Sequence, residues 1–141
     1  MLPCTLIKVG RLVERRTQAA LQKHGLTAAN YLALVHLAES PGSSRSELSR
    51  ALQVSPQAAG GIAGRLTAAG LVSRRTADDG VKTELTLTER AHKLLIMVQP
   101  EVDRVDQEIS RLFKPGHASF IAAASDHIIT QLSGPMLDPP G

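Results

Sequence analysis

Residues 44–87 read SRSELSRALQVSPQAAGGIAGRLTAAGLVSRRTADDGVKTELTL, and that stretch decides the fold. Ser44-Arg45-Ser46-Glu47 has the spacing of a capping box, in which a serine and a glutamate satisfy free amides at a helix start. The short helix it opens carries Leu48, Ala51 and Leu52, and Gln53-Val54 makes a turn. Ser55-Pro56 starts a second helix, with serine as N-cap and proline at the first helical position, where its missing N–H costs nothing. Ala59, Ile62 and Leu66 then recur at helical spacing, and Gly70 supplies a left-handed stop. Strands follow over Leu71–Thr76 and Val81–Leu87, with Asp79-Gly80 between them as a hairpin turn. A helix-turn-helix running straight into a β-hairpin is a winged helix, whose second helix suits a DNA major groove.

The flanks are helical. A first helix is expected from about Thr5 to His24, with Leu2, Leu6, Val9, Val13 and Ala20 on one stripe and Gly25 as its stop. Thr27 caps a second through Ala38, where Leu32, Leu34, Val35 and Leu37 are apolar on more than one side, as in a central helix. Beyond Thr88, Ala91, Leu95, Val98, Val102, Val105, Ile109 and Leu112 step by 4, 3, 4, 3, 4 and 3. That seam stays in register through Pro100, which predicts one long helix bent at the proline. Lys114-Pro115-Gly116 breaks the chain, and Phe120, Ile121, Ala124, Ile128 and Leu132 stripe a last helix. The fold class is therefore mainly α with a small β-hairpin wing. We read one domain over 1–134, with 27–87 as the DNA-binding part, 1–24 and 88–133 as dimerisation helices, and 135–141 as a flexible tail. These apolar helices exceed what a small winged helix needs for its own core, and a two-fold pair would read two half-sites.

Charge is unevenly spread along the 141 residues, whose net formal charge is +3. Residues 1–42 carry five Lys/Arg against two acids and residues 43–82 carry six against three, whereas 83–141 carry five against eight. The basic part points to a polyanion. Tyr31, Phe113 and Phe120 are the only aromatics, too few for base stacking on single strands, so duplex DNA is the better partner. Cys4 is the single cysteine, which excludes an internal disulfide and a four-cysteine zinc site. No secretory signal or membrane-length apolar run appears, and a cytoplasmic protein without membrane association is expected.

Gln57 is the best placed side chain for a base, because its amide can bond adenine at two points. Ser55, Pro56, Ala58 and Gly61 share the expected groove side of that helix, and the helix N-terminal amides with Ser55 suit a phosphate. Arg65 would reach a base or the backbone. Ser44, Arg45, Arg50, Arg74, Arg75 and Lys82 complete the expected DNA-binding set as phosphate contacts. Tyr31 and His36 are candidates for lining an effector pocket; the alternative is that they are ordinary core and edge residues. The five histidines lack the acid spacing of a zinc site, so neither metal nor other cofactor is expected. No nucleophile elbow or phosphate loop is present, and no enzyme is expected.

Four stretches in order carry a family likeness: Gly25-Leu26-Thr27 before an apolar helix, Ser46-Glu47-Leu48-Ser49 at the turn, Leu66-Thr67-Ala68-Ala69-Gly70-Leu71-Val72 with Arg74-Arg75, and Leu85-Thr86-Leu87-Thr88-Glu89-Arg90. Together they resemble the MarR family of bacterial transcription regulators, over about Leu6 to Leu132. The resemblance implies a homodimeric repressor or activator whose DNA binding responds to a small phenolic or other apolar acid, or to an oxidant. Some hydroperoxide-sensing members keep a reactive cysteine near the start of the first helix, which makes Cys4 a candidate redox site. Those members also supply tyrosines to the thiolate, and Tyr31 is the only one here. The wing departs from the family too. Where an arginine usually follows an aspartate, this chain has Val81 and then Lys82. Gly60, Gly61 and Gly64 each cost on the order of 1 kcal/mol of helix stability against alanine. These departures leave a second reading open, a winged-helix module for protein–protein contact without specific DNA reading.

Overall fold

The computed structural model describes residues 1–133 apart from 77, 79 and 81. Asp79 of the hairpin turn, Val81 at the expected strand start and the 135–141 tail thus lie outside the described residues. Contacts divide the chain into two compact units, Met1–Val105 and a second from Asp106 onward.

Helix α1 spans Leu2–Leu21 and passes through a 3₁₀ turn at Gln22–His24. It starts three residues earlier than Thr5 because Pro3 fits its first turn, and Thr5 bonds back to the Met1 carbonyl through both N–H and hydroxyl. Helix α2 spans Ala28–Glu39, with the Thr27 hydroxyl accepting from Asn30 N–H at 3.0 Å. The Ala28 amide donates to Gln18 Oε1 at 2.7 Å, which ties the two helices. Leu34 and Leu37 are buried, whereas Leu32 is exposed.

Helix α3 covers Arg45–Leu52 and helix α4 covers Pro56–Ala68. Ser44 Oγ accepts from Glu47 N–H at 3.2 Å, and its hydroxyl donates to the Glu47 carboxylate at 3.1 Å. The glutamate therefore returns to the serine hydroxyl, not to its backbone amide as the capping box predicts. Leu48 is fully buried and Leu52 half-buried, while Ala51 faces solvent. Gln53 takes a left-handed conformation at φ 56°, and Ser49 Oγ donates to the Val54 carbonyl at 2.7 Å to close the turn. Ser55 Oγ caps α4 through Ala58 N–H at 3.1 Å. Ala59, Ile62, Ala63 and Leu66 form its buried side.

Gly70, at φ 75°, ends α4 and lets Leu71 N–H return to the Leu66 carbonyl at 2.9 Å. Strands β1 (Val72–Thr76) and β2 (Thr83–Leu87) pair antiparallel, with Arg74 opposite Leu85 and Arg75 opposite Glu84. Ser43 pairs with Leu85 on the other side of β2. Thr88 then donates its hydroxyl to the Gly70 carbonyl and its amide to the Leu71 carbonyl, at 2.7 and 3.1 Å. That knot joins the end of α4 to the start of α5.

Helix α5 runs Glu89–Ser110 through Pro100 without a break. Ala91 and Val98 of its seam are buried, but Leu112 falls past the helix end and is exposed. Helix α6 spans His117–Leu132, and its stripe of Phe120, Ile121, Ile128 and Leu132 is exposed. Leu2, Leu6 and Val9 of α1 are exposed as well. Leu21 and Leu26, outside the expected stripes, enter the core fully.

Lys23 Nζ meets Glu101 Oε1 at 2.6 Å and clamps the turn after α1 to α5; Arg104 Nη1 meets Oε2 at 3.2 Å. The hydrogen bond from Lys23, with its charge and that of Arg104 adding, holds the Glu101 carboxyl below its ordinary value against the opposing effect of burial. A depressed folded-state value means that the stabilisation is present above the ordinary carboxylate range and is lost as pH falls through the folded value. Glu101→Gln should therefore lower the urea midpoint at pH 7 and leave it unchanged in strong acid. Equal midpoints at pH 7 would dismiss the clamp.

Candidate nucleic-acid interface

A concave surface of about 700 Å³ lies between α3, α4 and the hairpin. Three elements bring basic or polar groups to it: Ser44, Arg45 and Arg50 from α3 and its cap, Gln57 from the first turn of α4, and Arg74 with Lys82 from the hairpin. Half of the DNA-binding residues expected from sequence thus meet in one groove. Glu47 is the only acid among its lining residues, and Ser44 hydrogen-bonds it. Gly60 and Thr83, which the sequence reading did not select, also line it.

Ser55, Pro56, Ala58, Gly61 and Arg65 are exposed along α4 beside the groove, not among its lining residues. Arg75 is separated from Arg74 by the pleat. Successive strand residues point to opposite faces. Arg74 shares a face with buried Leu85, while Arg75 lies across from Glu84 and meets Asp78 at 3.5 Å. Two acids therefore flank Arg75, and it stays outside the basic groove.

The three glycines of α4 each face an arginine. A Cβ at Gly60 would stand 3.1 Å from Arg45 Cδ; one at Gly61, 3.3 Å from Arg65 Nη1; one at Gly64, 3.6 Å from Arg74 Nη2. The bare helix surface lets Arg45 of α3 and Arg74 of β1 lie against the same face of the helix, one from each neighbouring element. The Gly60–Gly64 spacing of four, which places both on one helix face, was the available sequence signal. At Gly64 a methyl would make ordinary van der Waals contact, so Gly64→Ala should stabilise the fold by roughly 0.5–1 kcal/mol through helix propensity. At Gly60 the methyl crowds Arg45, and the gain should be smaller. Thermal unfolding of both variants checks the ranking; a larger gain at Gly60 would contradict it.

Tyr31 and His36 have separate surroundings on α2. Tyr31 is half-buried against the core, and burial together with the Asp103 carboxylate pushes its hydroxyl above the ordinary value, so it stays protonated. His36 Nε2 lies 3.0 Å from Ser43 Oγ, whose hydroxyl donates to the Ser40 carbonyl at 2.7 Å. Since the serine proton is committed, His36 must donate from Nε2. The histidine fastens the end of α2 to the loop that enters the helix-turn-helix. Neither residue lines the apolar cleft of about 430 Å³ formed by Gly10, Val13, Leu32 and Val54 with Glu14. Cys4 is an exposed free thiol in the first turn of α1. Among the described residues, no three His, Cys, Asp or Glu side chains gather as a metal site, and no helix is long and apolar enough to cross a membrane.

Known proteins share this fold. Residues 24–80 match the model of the MarR family. The HTH-type transcriptional repressor Rv2887 of Mycobacterium tuberculosis is 33% identical over 117 residues, covering 82% of this chain and 84% of the relative. A crystal structure of the Mycobacterium tuberculosis MarR family protein Rv2887 in complex with p-aminosalicylic acid aligns with a TM-score of 0.74 at 27% identity, over 91% of this chain and 98% of that one. The repressor CouR bound to a 23-mer DNA duplex shares the fold, with a TM-score of 0.83 at 18% identity over 91% of this chain and 92% of that one.

Proposed function

This chain belongs to the MarR family of transcriptional regulators, and from that premise we propose that it is a dimeric repressor reading a specific duplex DNA site. The basic groove between α3, α4 and the hairpin carries this reading. Helix α4 enters the major groove, Gln57 meets an adenine edge, and Ser55 with the first amides of α4 holds a phosphate. Arg45, Arg50, Arg74 and Lys82 follow the backbone on either side. The hairpin lies along the flanking backbone or minor groove, where Lys82 stands in for the usual arginine. Exposed apolar side chains on α1 and on α6 each offer a surface that a second copy would cover. A small apolar acid modulates the affinity, as suggested by the Rv2887 structures that hold p-aminosalicylic and salicylic acid. The protein acts in the cytoplasm as a binding protein, not as an enzyme.

Selection of bound sites from a random duplex library at near-physiological salt tests this. An enriched inverted repeat with half-sites about one helical turn apart is expected. Salt-sensitive binding with no enriched site would overturn the specific-repressor reading and favour a partner-binding module.

A further inference from the structure

The exposed side of α4 is nearly bare. Ala58, Gly61 and Ala68 face solvent there without a polar side chain, and Thr67 commits its hydroxyl to the Ala63 carbonyl at 2.7 Å. Gln57 and Arg65 are the two exposed residues of the helix whose side chains carry hydrogen-bonding groups. Gln57, Gly61 and Arg65 follow one another at intervals of four, so they form a row along one face. A helical side chain leans toward the N-terminus of its helix. Arg65 does so, and its Nη1 lies 3.3 Å from the place a Cβ on Gly61 would take. The guanidinium thus rests against the space that a side chain at 61 would fill, next along the row from Gln57. Among the described residues it has no ion-pair partner, so no acid competes for its donors.

We infer that Gly61 is a specificity-determining position, which seats the Arg65 guanidinium beside Gln57 so that Gln57 reads an adenine and Arg65 a guanine. A guanidinium donates to guanine O6 and N7 together, and no other base offers two acceptors on its major-groove edge. Recognition helices present their N-terminal residues to base edges, and folding back over Gly61 carries the Arg65 head group toward that end. Arg45 and Arg74 reach α4 from neighbouring elements, at Gly60 and Gly64. Arg65 belongs to the inserting helix itself, on the side opposite buried Ala59, Ile62 and Leu66. The missing side chains at 58, 61 and 68 let the helix approach the bases closely enough for a guanidinium lying along it to touch them. Four residues of helix rise about 6 Å and bases stack about 3.4 Å apart, so the guanine should lie about two base pairs from the adenine. The inference deepens the proposed reading of duplex DNA and rests on it.

Site selection with the full chain, repeated on Arg65→Ala, Gly61→Val and the double variant, tests this. The wild-type half-site should carry an adenine and a guanine about two base pairs apart. Arg65→Ala should cut the preference for that guanine about tenfold and leave the other positions alone. Gly61→Val should do the same by displacing the guanidinium, and the double variant should lose no more than either single one. The salt dependence should keep its slope in Arg65→Ala, because a base contact is lost and not a phosphate contact. Valine is no worse than glycine inside a helix, so Gly61→Val should keep its thermal transition. A merely structural glycine would not move the preference at one base pair. Weakening at every position with a shallower salt slope would make Arg65 a phosphate contact and overturn the inference, as would a Gly61→Val protein that keeps the guanine preference. An enriched site that Arg65→Ala leaves unchanged would overturn this inference alone, whereas a wild-type protein with no enriched site would overturn the reading of DNA as well.

Discussion

Arg74→Ala should weaken binding to every duplex and flatten the dependence of log affinity on log salt by about one unit per lost phosphate contact, two per dimer. Arg75→Ala should leave that slope where it is. The difference comes from strand geometry, since adjacent strand residues face opposite ways. Arg74 lines the basic groove with Arg45, Arg50 and Lys82 and lies against the Gly64 surface of α4. Arg75 has Glu84 across the hairpin and an exposed ion pair with Asp78 at 3.5 Å, and it does not line the groove. Anisotropy titrations between about 50 and 200 mM salt resolve a change of this size. Equal slopes for the two variants would mean that the hairpin meets DNA by another face.

Leu66→Ala should carry the largest cost to stability, about 3–4 kcal/mol, because it empties a fully enclosed leucine site. Leu66 is 1% exposed and sits where α4 faces the core formed with Leu34, Leu37 and Leu48. Its carbonyl also receives Leu71 N–H, so the residue supports both the helix and its exit into the hairpin. Domains of this kind hold about 5–15 kcal/mol in all, and such a loss is a large share of that. Leu32→Ala is the matched control, since Leu32 is 54% exposed on α2 and should cost under about 1 kcal/mol in the monomer. The urea midpoint should fall for Leu66→Ala with little change in slope. A cost below that of Leu32→Ala would place Leu66 outside the core.

The winged segment was legible because its boundaries are set by local chemistry. Ser44, Ser55 and Gly70 act within a few residues of chain, and each caps or stops a helix as its type requires. Pro100 stays inside α5 as the seven-residue seam implied. The core contribution of α1 was not legible. The apolar stripe from Leu2 to Ala20 drew attention to side chains that are largely exposed, while Leu21 fills the core at the very end of the helix. A stripe marks an apolar face without saying which partner covers it. In the site, residue types identified the groove, but tertiary contacts divided Arg74 from Arg75 and laid arginines over the α4 glycines. Those glycines read as weak points in a helix considered alone.

Strand β2 is paired on both sides, by β1 and by Ser43, so the open hydrogen-bonding edge of the hairpin belongs to β1. An unprotected edge is a template on which another chain can add a strand, and charged side chains are a common deterrent. On β1 that deterrent is the arginine pair at 74 and 75, one on each face. The residue that contributes no charge to the groove therefore still has a use: with its neighbour it guards the hairpin against edge-to-edge aggregation.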